Sequence, residues 1–230
     1  MLSSLRSYLK SRSRDALLRD VHKEALTYLD PPALAELYDM VAALETRRLP
    51  GLLIEAGCAF GGSAIVIAAA KARARPLRVY DVFGMIPPPS ARDGQDVHER
   101  YARIRAGESK GIRGHRYYGY EDDLYETVKR NFTRLGRPID AHNVQLIRGL
   151  FQETLRPSGP VALAHIDGDW YESVRTCLER IAPHLVQGAV LVIDDYDTWS
   201  GCRRAVDEYF ADKQGSFTFQ RGARLHIVKN

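Results

Sequence analysis

The sequence has too few cysteines for a disulfide scaffold. There are three in 230 residues, Cys58, Cys177 and Cys202, widely separated and without a CxxC pair, a pattern that also disfavours a zinc site or a secreted framework. They read as reduced thiols in a core. Long apolar runs are missing too: the longest, such as residues 64–70 and 189–193, fall far short of the roughly 20 residues a membrane span needs. The first fifteen residues, MLSSLRSYLKSRSRD, hold no apolar stretch of the signal-peptide kind. A cytoplasmic protein with no membrane span is expected. No internal repeat, low-complexity tract or interdomain linker breaks the chain. With 45% hydrophobic and 27% charged residues, a chain this long buries roughly 70% of the surface its unfolded form exposes and needs no staple to hold a core.

Anionic character is in slight deficit, with a formal net charge of +4. The excess sits in the first 24 residues, where Arg6, Lys10, Arg12, Arg14, Arg19 and Lys23 face Asp15, Asp20 and Glu24. Such a leader could touch an anionic partner, but a solvated helix face explains it more simply. The near-neutral remainder and the lack of an N-P-P-Y-type base-stacking motif argue against a nucleic-acid partner.

Periodicity organises what is present. Leu17, Leu18, Val21, Ala25 and Leu26 recur at helical spacing, and Asp30-Pro31 opens a second helix through Leu34, Leu37, Val41 and Leu44, an N-cap followed by proline in the first turn. A strand at 52–55, the turn Gly57-Cys58-Ala59-Phe60-Gly61-Gly62-Ser63 and an alanine-rich helix to Ala74 begin a βαβ unit. Further strands are expected at 77–80, 144–147, 161–166 and 189–193, with helices through Leu124–Phe132, Val174–Leu185 and Ala205–Phe210. Two last strands, 217–219 and 224–228, make a hairpin. Five near-continuously apolar strands alternating with helices imply an α/β fold, a doubly wound parallel sheet covered on both faces and closed by an antiparallel hairpin. The expected organisation is an N-terminal helical extension or lid over 1–50 and one domain over 51–230. That domain carries an irregular insertion at 84–120, rich in proline, glycine and tyrosine, of the kind that forms lids and binding loops.

Ligands of doubly wound sheets bind beyond the carboxyl ends of the strands, where strand order reverses. The residues there are Glu55 with the Gly57–Ser63 turn, Asp81, Arg148-Gly149, His165–Asp169 and Asp194-Asp195. The run G-C-A-F-G-G lacks the G-x-G-x-x-G spacing, so a ligand smaller than a dinucleotide is favoured, and Asp81 stands where a carboxylate would grip a ribose diol. Together these suggest an adenosine-bearing ligand. The bland alternatives are that Gly61 and Gly62 only allow close helix packing and that Asp81 only caps a turn.

The aspartates ending strands four and five should crowd one rim, because neighbouring strands lie about 4.8 Å apart. Like charges that close raise one another's pKa unless a cation joins them. An all-oxygen cluster suits Mg²⁺, or Ca²⁺ or Mn²⁺, better than zinc. Asp167 and Asp194 are the favoured ligands. Asp169 reads more readily as the cap of the following helix, and His165 as a satisfied core histidine. His98 and His115, in the insertion, could swing a base onto a substrate or merely sit on a surface loop. Trp170, Tyr171, Trp199 and the insertion's tyrosines offer flat walls to a ring.

At this point the chain resembles a known family. I-E-A-G-C-A-F-G-G-S, V-Y-D-V-F-G-M-I-P-P-P, R-G-L-F-Q-E-T-L, H-I-D-G-D-W-Y-E-S and G-A-V-L-V-I-D-D-Y with G-C-R-R-A-V-D-E-Y-F, in that order over roughly residues 27–210, look like the macrocin O-methyltransferase (TylF-type) family. The resemblance implies a class I, S-adenosylmethionine-dependent methyltransferase with a seven-stranded sheet, using Mg²⁺ to methylate a sugar hydroxyl of a glycosylated natural product. It implies that Glu55, Gly57, Gly61, Gly62 and Ser63 surround the cofactor's methionine part and that Asp81 holds its ribose, with Gly149 and Asp167 completing the cofactor set. Asp167, Asp194 and Asp195 would be the metal ligands. The proton acceptor would be His98, Asp169 or a metal-bound carboxylate such as Asp167. A catechol-like phenol is the alternative acceptor, and a non-catalytic cofactor-binding module the alternative outside enzymes. A homo-oligomer is the default assembly for a small-molecule enzyme.

Overall fold

The computed structural model describes the backbone of residues 2–230 and the side chains of residues 13–230. The side chains of Arg6, Lys10 and Arg12, half of the basic leader's cations, therefore lie outside the described residues. Strands β1 (Leu52–Ala56), β2 (Leu77–Asp81), β3 (Val144–Arg148), β4 (Val161–Ile166), β5 (Leu185–Ile193), β6 (Phe217–Arg221) and β7 (Leu225–Lys229) form one sheet in the order β3-β2-β1-β4-β5-β7-β6. The first five are parallel, and β7 runs antiparallel to both β5 and β6. This is the doubly wound, seven-stranded arrangement with a closing hairpin that the apolar runs implied.

Side chains alternate across the strands, so each strand feeds two cores. Leu53, Val79, Leu163 and Val192 point to one face, beneath helices α2 (Pro31–Thr46), α3 (Gly62–Ala70) and α5 (Leu124–Arg134). Ile54, Ala164, Ile166 and Ile193 point to the other, beneath α7 (Tyr171–Ile181) and α8 (Ser200–Phe210). Each fully buried aliphatic side chain contributes about 1.5–3 kcal/mol relative to exposure, and burial on both faces is why the strands read as unbroken apolar runs.

Two helix ends differ from the sequence reading. The alanine-rich α3 stops at Ala70 rather than Ala74, because Lys71 turns extended (ψ 160°) and its ammonium donates to carbonyls beyond the helix, those of Ala72 and His142. The helix expected to reach Leu185 ends at Ile181, and β5 begins at Leu185 instead of 189. Pro183 lacks the N–H that would continue the helix, and Leu185 pairs with Val161 of β4.

The N-terminal helices α1 (Leu2–Lys23) and α2 pack on the body of the sheet. Asp30 caps α2 by accepting the N–H of Ala33 at 2.9 Å, and Leu34, Leu37 and Val41 are fully buried in the first core. The link between them passes over the start of α3, where the N–H of Gly62 donates to the Leu26 carbonyl at 3.0 Å. A Cβ on Gly62 would lie 2.7 Å from that oxygen, so a close crossing requires glycine there.

The insertion between β2 and α5 contains helix α4 (Gln95–Arg105) and is fastened to the helices behind the sheet. Asp93 accepts the N–H of Tyr171 at 2.7 Å, Asp96 accepts that of Ser200 at 2.9 Å, and the Trp170 indole donates to the Pro87 carbonyl at 2.9 Å. No described helix is long and apolar enough to cross a membrane.

Candidate active site

The ladder continues one residue past the strand ends and sets the site. The N–H of Gly57 donates to Tyr80, that of Asp167 to Ala56, that of Asp194 to Ile166 and that of Gly149 to Asp81, at 2.8–3.0 Å. Residues that are remote in sequence thus emerge side by side at the carboxyl edge. Gly57, Asp167 and Asp194, with Asp81, Asp169 and Asp195, line a cavity of about 240 Å³. A smaller cavity of about 50 Å³ adjoins it, sharing Gly57, Asp81, Asp167 and Asp169 and adding Leu150, Phe151 and Gln152.

Asp81 organises the glycine turn. One carboxylate oxygen accepts the N–H of Cys58 at 2.8 Å and the other that of Phe83 at 2.6 Å. Burial pushes its pKa up, and these two N–H donors offset only part of the effect. Each oxygen retains a lone-pair direction for a further donor.

Asp167, Asp194 and Asp195 each present a carboxylate oxygen, the three lying within 4.8 Å of one another. Their charges are not balanced alike. Asp194 accepts from Nε of Arg224 at 2.6 Å and lies 3.8 Å from Nε2 of His165. Burial would raise it, but these two cations hold it below the usual carboxylate range. Among the described residues the other two have no direct cation pair, and the more distant His165 offsets the burial of Asp167 only slightly. Burial, then Asp194, Asp195 and Asp169, drive Asp167 well above its ordinary value, and burial with Asp169 and Asp194 does the same to Asp195. Two uncompensated carboxylates beside a compensated one, with oxygen the only donor element, make a set that a hard divalent cation fits.

His165 is fully buried and serves more than packing. Its Nδ1 lies 3.1 Å from Glu55, whose carboxylate also accepts from the Ser63 hydroxyl. Burial alone would depress the imidazole, yet Glu55 and Asp194 together raise it well above its ordinary value. Glu55, His165 and Asp194 therefore form a charged row running from the interior to the rim.

Several residues expected at the site stand behind it. Glu55, Gly61, Gly62 and Ser63 do not line either cavity. Glu55 is the buried partner of His165 and Ser63 that of Glu55, a Cβ on Gly61 would meet Val128 and Phe132, and Gly62 abuts Leu26. Gly149 continues β3 but also lines neither cavity, whereas its neighbour Leu150 does. The structure does not bring His98 to the site: it is exposed, with Nε2 3.2 Å from the Ser90 carbonyl. His115 is likewise exposed, on a different depression beside Ala25 and Phe60.

Asp169 is drawn in more deeply than a helix cap. It adopts φ +52°, a left-handed conformation that costs an ordinary residue free energy and is commonest for Asn and Asp. Its N–H donates to Asp195 at 3.2 Å, and its Oδ1 accepts from the Trp199 indole at 2.9 Å. Burial, against that indole donor, raises its pKa to about 6. On the opposite wall Tyr28, Tyr117 and Tyr118 meet Ile86 and Ile104, while Trp170 stands edge-on to Trp199 at 5.7 Å. Burial pushes the Tyr28 phenol up to about 12 and raises those of Tyr117 and Tyr118 as well, so these tyrosines stay protonated.

The sequence reading missed Arg224, Arg100, Tyr28 and the Leu150–Gln152 segment at this edge. Only the last carried a signal, since it follows a strand end directly.

Comparison with known proteins identifies relatives of this chain. The family model for macrocin O-methyltransferase (TylF) matches residues 5–217. A relative from Streptomyces olivaceus, an 8-demethyl-8-(2,3-dimethoxy-alpha-L-rhamnosyl)-tetracenomycin-C 4'-O-methyltransferase, is 33% identical over 197 residues, covering 83% of this chain and 70% of its own. A demethyldecarbamoylnovobiocin O-methyltransferase from Streptomyces niveus is 30% identical over 200 residues, covering 84% and 71%. The solved structure of the O-methyltransferase NovP superposes with a TM-score of 0.79 at 21% identity, covering 96% of this chain and 99% of that one. That likeness establishes the fold.

Proposed function

Because this chain belongs to the macrocin O-methyltransferase (TylF) family, an enzyme family, we propose that it transfers the methyl group of S-adenosylmethionine to a sugar hydroxyl of a glycosylated small molecule, with Asp167, Asp194 and Asp195 holding Mg²⁺ or a similar divalent cation. The observation that carries the reading is the convergence of those three carboxylates on the cavity that also contains Asp81 and Gly57. The sugar is suggested by the rhamnosyl acceptor named for the relative from S. olivaceus.

Each residue then has a task. Asp81 receives the ribose hydroxyls on the lone pairs left free by Cys58 and Phe83. The smaller cavity, with Phe151, Leu150 and Ile86, takes the adenine face against apolar surface, and the backbone of the Gly57 turn lies alongside the methionine part. That Asp167 borders both cavities supports a position for it between cofactor and acceptor. Arg224 and His165 fix the Asp194 carboxylate, and Glu55 with Ser63 fixes His165, so the row is preorganised.

When bound, the divalent cation lowers the pKa of a coordinated hydroxyl, as it does for water. In the transfer the hydroxyl oxygen bonds to the methyl carbon, the carbon–sulfur bond breaks, and sulfur keeps the electron pair. Asp169 receives the hydroxyl proton. Its Oδ1 is pinned by Trp199, and among the described residues its Oδ2 has no partner. The aromatic walls exclude water and hold the sugar ring in line with the donor, and positioning of this kind supplies much of the acceleration in group transfer.

Radiolabelled S-adenosylmethionine offered with Mg²⁺ to a rhamnosylated aromatic glycoside and, separately, to a catechol tests the acceptor class. Label should pass to the glycoside. Label on the catechol alone would replace the sugar with a phenol as acceptor, and label on neither, with the cofactor bound, would remove the enzymatic reading.

A further inference from the structure

The wall of the larger cavity carries seven charged residues, five aspartates and two arginines. Arg224 is committed to Asp194 at 2.6 Å and also approaches Asp30 at 3.6 Å. Arg100 is not committed to any carboxylate. Among the described residues it forms no ion pair and no hydrogen bond, and its guanidinium carbon stands 5.6 Å from the centroid of the Tyr117 ring.

Its place on α4 is unusual for a cation. Val97, Arg100 and Ile104 follow one another at helical spacing along one face, and both flanking residues are buried, at 0% and 1% exposure. The other cations of this helix, Arg103 and Arg105, are exposed. Arg100 itself is half-buried, and its guanidinium, with no hydrogen-bonded partner on the cavity wall, is open to a ligand. A ligand anion would pair with it, and the planar guanidinium suits a phosphate or carboxylate held by two parallel hydrogen bonds.

Two molecules could bring that anion, the acceptor or the methionyl carboxylate of the cofactor. Arg100 borders only the larger cavity, beside Ile104 and Tyr117, and does not reach the smaller one, which runs from Asp81, Leu150 and Phe151 to Ser173 and to which the reading above assigns the adenine. We propose that Arg100 receives an anionic group, phosphate or carboxylate, carried by the acceptor, so that a charged sugar is bound in preference to a neutral one. This rests on the methyltransferase reading above and names a class of substrate for it.

The test is calorimetry on the full chain with S-adenosylhomocysteine and Mg²⁺ present, using thymidine diphosphate rhamnose as the charged probe and methyl α-L-rhamnoside as the neutral one. The wild type should bind the charged probe at least about 10-fold more tightly, as expected for a charge-assisted pair of hydrogen bonds. R100M should abolish the preference and R100K should keep part of it, while S-adenosylhomocysteine affinity stays the same in all three proteins and reports that each is folded. Equal affinity for the two probes in the wild type, or binding of neither with S-adenosylhomocysteine bound, overturns the inference and leaves methyl transfer standing. A loss of S-adenosylhomocysteine affinity in R100M as large as the loss of charged-probe affinity moves the anion to the cofactor and also overturns it. Failure of the wild type to bind S-adenosylhomocysteine removes the methyltransferase reading, and this inference with it.

Discussion

Asp195→Asn is expected to lower kcat for methyl transfer by at least about 100-fold, the range in which metal-site substitutions fall, while leaving S-adenosylhomocysteine affinity within about threefold. Asp195 borders the larger cavity alone, away from the cofactor's adenosine end, which is why binding and turnover should separate. The same substitution should raise the metal-free melting temperature. Asp195 is buried against Asp167, Asp169 and Asp194 with no cation of its own, and an amide of the same shape removes a buried like-charge conflict. Relief of roughly 1 kcal/mol corresponds to about 2–4 °C in a chain of this size. Asp194→Asn makes the contrast. It also removes a ligand, but it strands Arg224 and the protonated His165, so activity and stability should fall together. Kinetics, calorimetry and thermal melts on the two variants read the difference. If Asp195→Asn melts lower and binds the cofactor product poorly, its carboxylate is a structural anchor.

Gly57→Ala is expected to cost on the order of 3 kcal/mol or more, because it combines a backbone conformation disfavoured for any side chain with overpacking. Gly57 has φ +90°, and a Cβ there would sit 1.9 Å from the Asp167 carbonyl oxygen. The obstacle is backbone on the neighbouring strand end, which cannot swing aside as a side-chain tip can. Relief requires separating β1 from β4 where the two halves of the sheet meet, so the same change that destabilises the fold also displaces Asp167. A fall in melting temperature of roughly 6–12 °C with loss of S-adenosylhomocysteine binding is the anticipated result. A variant that melts like the wild type would show that the turn tolerates φ < 0 and that the β1–β4 crossing is looser than the geometry states.

The parts of this site that were legible in the sequence are those fixed by short-range rules. Apolar-rich runs of four to six residues marked the strands, and the residue after each run marked the rim, since a parallel sheet places all its carboxyl ends on one side. Asp81, Asp167, Asp194 and Asp195 reach the cavity for that reason alone. What was not legible depends on register and on which side of an element faces inward. Arg224 lies at the far end of the chain, and it meets Asp194 only because antiparallel pairing sets Leu225 opposite Ile193. His165 reads as a core residue from its strand position. It is one, yet pairing with β1 aligns it with Glu55 and makes it a charged bridge to the rim.

The turn glycines divide in the same manner. Gly57 lines the cavity, whereas Gly61 and Gly62 serve packing against α5 and the α1–α2 link, a distinction that spacing within the motif does not encode. Of the polar residues in the irregular insertion, composition flagged His98 as a candidate base. The structure turns that imidazole outward, to the Ser90 carbonyl, and instead presents Arg100 from the same helix. Helical phase decides between them: Arg100 shares a face with Val97 and Ile104, and His98 does not.

Methyl transfer measured after exhaustive chelation, with Mg²⁺ then restored, tests the central claim most directly. Turnover on a rhamnosylated acceptor should fall to about 1% or less while S-adenosylhomocysteine still binds, and it should return in the wild type, but not in Asp195→Asn, when Mg²⁺ is added back. Undiminished turnover in excess chelator would contradict the assignment of Asp167, Asp194 and Asp195 as ligands of a catalytic divalent ion.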